Sequence, residues 1–261
     1  METKIKTETN KVLPEYIRAI FEEVKINIRP LYHYKQGNCH NLAHFISLIL
    51  NSYGVPHRKI WIYSPSRYLK KSAKSIIIND INNLSPTGKI RWGYHVAPII
   101  FVDGQEFVFD FFLDENQPLS ISEWKSALNS KKYFVDLKKP SFYLFFTENL
   151  NNKKLFNGNY FEYNQKCKDE NWLPAGLAIN HTAWQFAQNE ALILNQKSSL
   201  AADYRLLVGF ITNFETVFKN NSTNTQVTID FLAQHHDIIL KYRELYIQNL
   251  EFYTEKINRY I

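Results

Sequence analysis

Two cysteines occur in 261 residues, and one of them, Cys39 in "GNCHNLAHFISLILNSYG", stands where an apolar helix begins. A thiol at a helix start meets unsatisfied N–H groups and the positive end of the helix dipole, which favour the nucleophilic thiolate. Cysteine is also among the most buried residue types, so position alone leaves open whether Cys39 is a nucleophile or a small core residue. The choice turns on partners, since a thiolate nucleophile needs a base and the base needs a group to orient it. His40 and His44 share the helix with Cys39 and cannot easily turn toward its N-terminal end. Their H-x-x-x-H spacing suits zinc only with a further ligand, yet position 41 is Asn, not the Glu of a metalloprotease helix, and no third ligand is evident. His235 and His236 are adjacent, hence splayed apart on a late helix, and read as surface. His95 differs, because it opens the first strand of a hairpin.

That hairpin is "GYHVAPIIFV-DG-QEFVFDFF", in which Asp103-Gly104 has the chemistry of a two-residue turn. If Val102 and Gln105 flank the turn, His95 faces Phe112. Asp110 then lies diagonal to His95 on the same face, within reach of a hydrogen bond. A carboxylate amid the apolar residues of "VFDFF" needs a partner, which either the imidazole or backbone amides can supply. Asp103, in the turn, lies on the order of 25 Å along the strand from His95, and Asp114 falls past the pairing as the weaker rival. Trp92 and Tyr94 bracket the histidine and suit either the walls of a substrate slot or plain strand packing. Asn38, beside the cysteine, is a third candidate substrate contact.

The elements that must hold these residues are legible in outline. Pro14 opens a helix over "PEYIRAIFEEVKI" that ends before Arg29-Pro30. A second helix runs from Cys39 to Ser52, with Gly54 near its C-cap and Pro56 beyond it. "HRKIWIYS" and "SFYLFFTE" read as strands. Pro65 to Gly88 is an excursion between strands, basic at first and turn-forming at Ser85-Pro86. Ser120 and Glu123 have the spacing of a capping box opening a short helix. Past about residue 165 the pattern turns helical, near 182–196, 199–219 and 226–259. In the last, Ile239, Tyr242, Tyr246, Asn249, Tyr253, Ile257 and Tyr260 recur at three- and four-residue steps, as one face of a long helix packed in a core or against a partner helix.

Composition narrows the class. The chain is 45% hydrophobic and 15% aromatic, which is a globular composition. Two cysteines cannot build a disulfide framework, so a reducing compartment is expected. The start "METKIKTETNKVLPEY" lacks an apolar h-region, and no apolar run is long enough for a membrane span. The net charge of +6 is spread among acidic and polar residues, without a basic helix or an RNA-binding motif, so no nucleic-acid partner is expected.

Cysteine at a helix start, histidine on a strand and aspartate on the next is the order of the papain/transglutaminase-like fold. The sequence resembles most closely the bacterial protein-glutaminase family, protein deamidases with a Cys-His-Asp triad. The resemblance runs through "GNCHNLAHFISLILNSYGV", "KIWIYS", "WGYHVAPIIFV", "FVFDFF" and "PLSISEWKSAL", with the W-x-Y-H spacing of Trp92 to His95 its most specific element. It implies an α+β fold, a papain/transglutaminase-like core whose Cys-bearing helix packs on an antiparallel sheet, followed by an α-helical C-terminal region. It further implies Cys39 as nucleophile, His95 as general base and acid, and Asp110 as orienter. The implied reaction is hydrolysis of a glutamine side-chain amide in a protein to glutamate and ammonia, with neither cofactor nor metal. A transglutaminase or cysteine protease would use the same triad, whereas a catalytically idle scaffold would use the late helices to bind a partner. The family pattern has Pro after the aspartate where this chain has Phe111. Two units are expected, a catalytic one over 1–165 and a helical one over 166–261 for substrate or partner recognition. A deamidase without signal or disulfides suits a cytoplasmic protein, or a bacterial effector or toxin working in another cell's cytosol.

Overall fold

A computed structural model describes residues 14–35, 37–68, 72–80, 88–128, 133–147, 158–188, 230, 233–234 and 236–261. Helix α1 (Glu15–Ile28) turns Ile17, Phe21, Val24 and Ile28 inward at the spacing of one helical face. Pro14 is its N-cap, one position before the expected N1, and Arg29 is extended, as a residue before proline must be. Helix α2 (Cys39–Ser52) is buried along most of its length, the polar Asn41, His44 and Ser47 included. Gly54 follows it at φ +65°, and the Val55 amide bonds the Leu50 carbonyl at 2.9 Å, closing the helix end.

The apolar run 57–63 becomes strand β1 (His57–Tyr63), flanked on both sides in a four-stranded antiparallel sheet of order β5-β4-β1-β6. Its neighbours are β4 (Tyr94–Val102) and β6 (Phe134–Lys138), and β5 (Gln105–Val108) pairs β4 at one edge. The β4–β5 turn is the expected Asp103-Gly104, with φ of 50° and 73°, and the register is the expected one from Val102↔Gln105 to Ile99↔Val108. One further bond, from the Phe109 amide to the Pro98 carbonyl, continues it.

There the strand pairing ends, short of His95, although the Phe112 ring still lies 5.9 Å from the imidazole. The Asp110 carbonyl takes the amides of Leu113 and Asp114, closing a helical turn, and Leu119 returns to bridge Val108. Asp110 is thus the residue at which the strand becomes a turn. Helix α3 (Pro65–Tyr68) and β2 (Ile76–Asn79) lie in the excursion, β2 pairs β3 (Lys89–Trp92) just beyond it, and Ser85-Pro86 lies outside the described residues. Ser120 and Glu123 form the full capping box of α4 (Ile121–Ala127).

Strand β7 (Phe142–Thr147) pairs β8 (Gly158–Glu162), and α5 (Gln165–Asp169), α6 (Trp172–Ala187) and α7 (His236–Asn258) follow. Helix α6 starts ten residues before the pattern read from the sequence. Pro174 obscures that start, yet in a first turn its missing N–H needs no partner. The helix expected near 199–219 lies outside the described residues. The aromatic stripe of α7 is its inward face, with Ile239, Tyr242, Asn249, Tyr253 and Ile257 buried.

One packed cluster joins Ile17 and Phe21 of α1 and Phe45 of α2 to Ile60 of β1, Cys167 of α5, Leu173 and Leu177 of α6, and Tyr253 and Ile257 of α7. The junction expected at 165/166 therefore runs through continuous packing. Cys167, although it stands in the polar stretch "NQKCKDENW", is fully buried, because short α5 turns its one apolar residue inward. No helix of the described residues is long and apolar enough to cross a membrane.

Candidate active site

His95 has no exposed surface, and its Nε2 bonds Asp110 Oδ2 at 2.6 Å. The aspartate is itself buried and is held from two further directions. Trp124 Nε1 donates to the same Oδ2 at 2.6 Å, and the Phe112 amide donates to Oδ1 at 3.2 Å. Three donors around one carboxylate satisfy the charge that the apolar setting would otherwise penalise. Trp92 lies flat on the imidazole, ring centres 4.3 Å apart and planes 8° apart, and its own N–H donates to the Lys35 carbonyl at 2.8 Å. That stack fixes the ring's tilt and offers a π face to an imidazolium.

The other ring nitrogen, Nδ1, is buried without a hydrogen-bond partner, and Cys39 is the nucleophile-type residue nearby. Burial works against a charged imidazole. The Asp110 charge and hydrogen bond, joined by the influence of nearby Cys39, outweigh it and raise the His95 pKa to about 10. Histidine is therefore the protonated partner at neutral pH. A small cavity beside Cys39 and Asp110 is otherwise lined by apolar residues such as Leu42, Val96 and Phe109.

Asn38 is the N-cap of α2 in the left-handed conformation, φ 59° and ψ 22°, and its side chain caps no amide of the helix. Instead Nδ2 donates to Asn180 Oδ1 at 2.8 Å and to the Gly176 carbonyl at 3.4 Å. Tyr94 is deeply set, its hydroxyl 3.3 Å from His40 Nδ1. Burial first, then the Cys39 charge, raises the Tyr94 pKa. The two α2 histidines are otherwise engaged. Burial, then the Lys59 charge, pushes His40 down to about 3, and His44 Nδ1 accepts from the fully buried Lys59 at 2.7 Å. Among the described residues no group of three His, Cys, Asp or Glu side chains could hold a metal ion.

Residues 16–128 match the family model described as Glutaminase. That segment, less than half of the chain, is similar to the glutaminase family. Cys39, His95, Asp110, Trp92, Tyr94 and Asn38 all fall inside this glutaminase segment, as does Trp124. No curated protein matches the chain. Among solved structures, the NMR structure of protein-glutaminase from Chryseobacterium proteolyticum is similar at TM-score 0.46 and 15% identity, over 67% of this chain and 90% of that one. A crystal structure of protein-glutaminase gives TM-score 0.44 and 16% identity, over 63% of this chain and 83% of that one.

Within the glutaminase segment, sequence reasoning named the partners of Asp110 incompletely. Trp124 entered only as part of the matching segment, yet a buried indole N–H must find an acceptor, and a capping box four residues before it fixes which way it points. Phe111, standing where the family has proline, is buried and stacks on Phe21 of α1 at 4.4 Å. Asn180, which holds Asn38, lies outside the glutaminase segment in a helix that carries no chemical motif.

Proposed function

We propose that the protein is a cysteine-dependent amidohydrolase that deamidates a glutamine side chain in a protein, with Cys39 as nucleophile, His95 as acid and base, and Asp110 as orienter. The observation that carries this reading is the buried His95–Asp110 pair with its remaining ring nitrogen unbonded beside a helix-start cysteine. The Cys39 sulfur attacks the carboxamide carbon, and the oxygen's developing charge is met by the Cys39 N–H, which Asn38 does not cap. His95 gives its proton to the departing nitrogen, releasing ammonia and leaving a thioester. A water then loses a proton to His95 and attacks the thioester carbon, and the thiolate leaves with glutamate formed. Asp110 holds the imidazole in the tautomer both transfers require.

The glutaminase family match supports amide hydrolysis over peptide cleavage, and two free cysteines, Cys39 and Cys167, suit a reducing cytosol, its own or that of a target cell. An effector or toxin role belongs to the same proposal. The test is incubation of wild type and Cys39→Ala with a glutamine-containing peptide and with casein, reading ammonia, amine incorporation and chain cleavage together. Ammonia alone, lost in Cys39→Ala, is the expected result. Amine incorporation would make it a transglutaminase, cleavage a protease, and an inert wild type a scaffold.

A further inference from the structure

We propose that Asn180, on α6, is a positioning residue for the Cys39 nucleophile, acting through Asn38. The inference rests on the reading of Cys39 as nucleophile given above. Asn38 immediately precedes Cys39, so its torsions aim both the Cys39 N–H and the bond that carries the sulfur. An N-cap asparagine ordinarily sits in extended backbone and accepts an amide of the first turn. Here it is left-handed, a conformation asparagine tolerates but does not prefer, and its amide points out of the helix. Asn180 Oδ1 receives that amide at 2.8 Å.

Asn180 is fully buried, and its own Nδ2 has no hydrogen-bond partner. An unpaired buried donor is costly, and leucine of the same branched shape would carry no such donor. What asparagine supplies there is the acceptor for Asn38. Four residues earlier on the same face of α6, Gly176 brings the two helices together. A Cβ at 176 would lie 2.0 Å from Asn41 Nδ2, and Asn41 Oδ1 in turn accepts from the Tyr143 hydroxyl. The Asn38 carbonyl takes the amides of Asn41 at 3.0 Å and Leu42 at 3.2 Å, so a tether on Asn38 holds the whole first turn. A residue outside the glutaminase segment thereby sets the geometry of the nucleophile within it.

The experiment is a double-mutant cycle of Asn180→Leu and Asn38→Gly in the full chain. Glycine keeps the left-handed torsions without strain and removes only the tether. The readouts are kcat and KM for ammonia release, the rate of Cys39 alkylation by iodoacetamide, and the melting temperature. Each single variant is expected to melt near wild type, to lose about tenfold in kcat and in alkylation rate, and to keep its KM. The double variant is expected to fall no further than the singles. Wild-type kcat and alkylation in Asn180→Leu, or losses that multiply in the double variant, would overturn the proposal. Should Asn180→Leu not fold, Asn38→Gly decides alone, and wild-type values there overturn it. If wild type releases no ammonia, the hydrolase reading fails, while the alkylation rates still decide the tether.

Discussion

At the scale of single residues, Asp110 is where charge, hydrogen bonding and register meet. Asp110→Asn leaves one oxygen for three donors, His95, Trp124 and the Phe112 amide, which now share two, and removes the charge that sustains the imidazolium. Ammonia release should fall on the order of 10²-fold or more, while Asp103→Asn, in the turn, and Asp114→Asn, half-buried on its own local turn, should stay near wild type. Trp124→Phe keeps an aromatic ring but strips the N–H from a buried carboxylate. Chemical denaturation should read a loss of about 1–3 kcal/mol. The raised His95 pKa gives a pH signature with a definite sign. The folded state holds the proton more tightly than the unfolded chain, so the stabilisation is full below about pH 6.5 and is lost as pH rises through about 10. Unfolding free energies of wild type and His95→Gln should therefore converge as pH is raised across that window, and divergence would mean the imidazole is neutral at rest. The His95–Asp110 bond was legible because an aspartate in "VFDFF" has few ways to be satisfied. Trp124 was harder to assign, since nothing in a helical tryptophan announces which acceptor its N–H will meet.

At the scale of elements, legibility followed how local the physics is. The Asp103-Gly104 turn and the Ser120/Glu123 capping box are fixed by residues within a few positions of each other, and both formed as read. The end of the hairpin was not local, because Asp110 leaves the strand when Leu119, beyond the reach of any periodicity, returns to bridge Val108. Strands β6 and β8 were missed for the same reason: the pairing with β1 and β7 that defines them is non-local. The start of α6 was hidden by Pro174 and Gly176, residues that usually argue against a helix. Gly176 is there for contact, and Gly176→Ala should drive α6 from α2 at a cost of about 1–3 kcal/mol in unfolding free energy. A melting temperature equal to wild type would show that Asn41 swings aside freely.

At the scale of the whole molecule, described residues on both sides of the expected boundary at 165/166 share one buried cluster. Truncation after residue 165 removes Cys167, Leu173, Leu177, Tyr253 and Ile257 from a shared core. The shortened protein should be insoluble or lack a cooperative melt, and a well-folded fragment with full near-ultraviolet dichroism would restore the two-unit division. The ends of the fold are also tied directly, since Lys256 Nζ donates to the Asn27 carbonyl at 2.6 Å and the Tyr260 hydroxyl to its side chain at 2.9 Å. Those two bonds have a consequence in time. A chain leaving the ribosome with α1 ahead of the rest must wait for residues more than two hundred positions later before Asn27 is secured, and such distant contacts are the slow ones to close. The first helix is thus synthesised early and tied down last, so a half-made copy leaves the Asn27 end of α1 without the bonds that secure it.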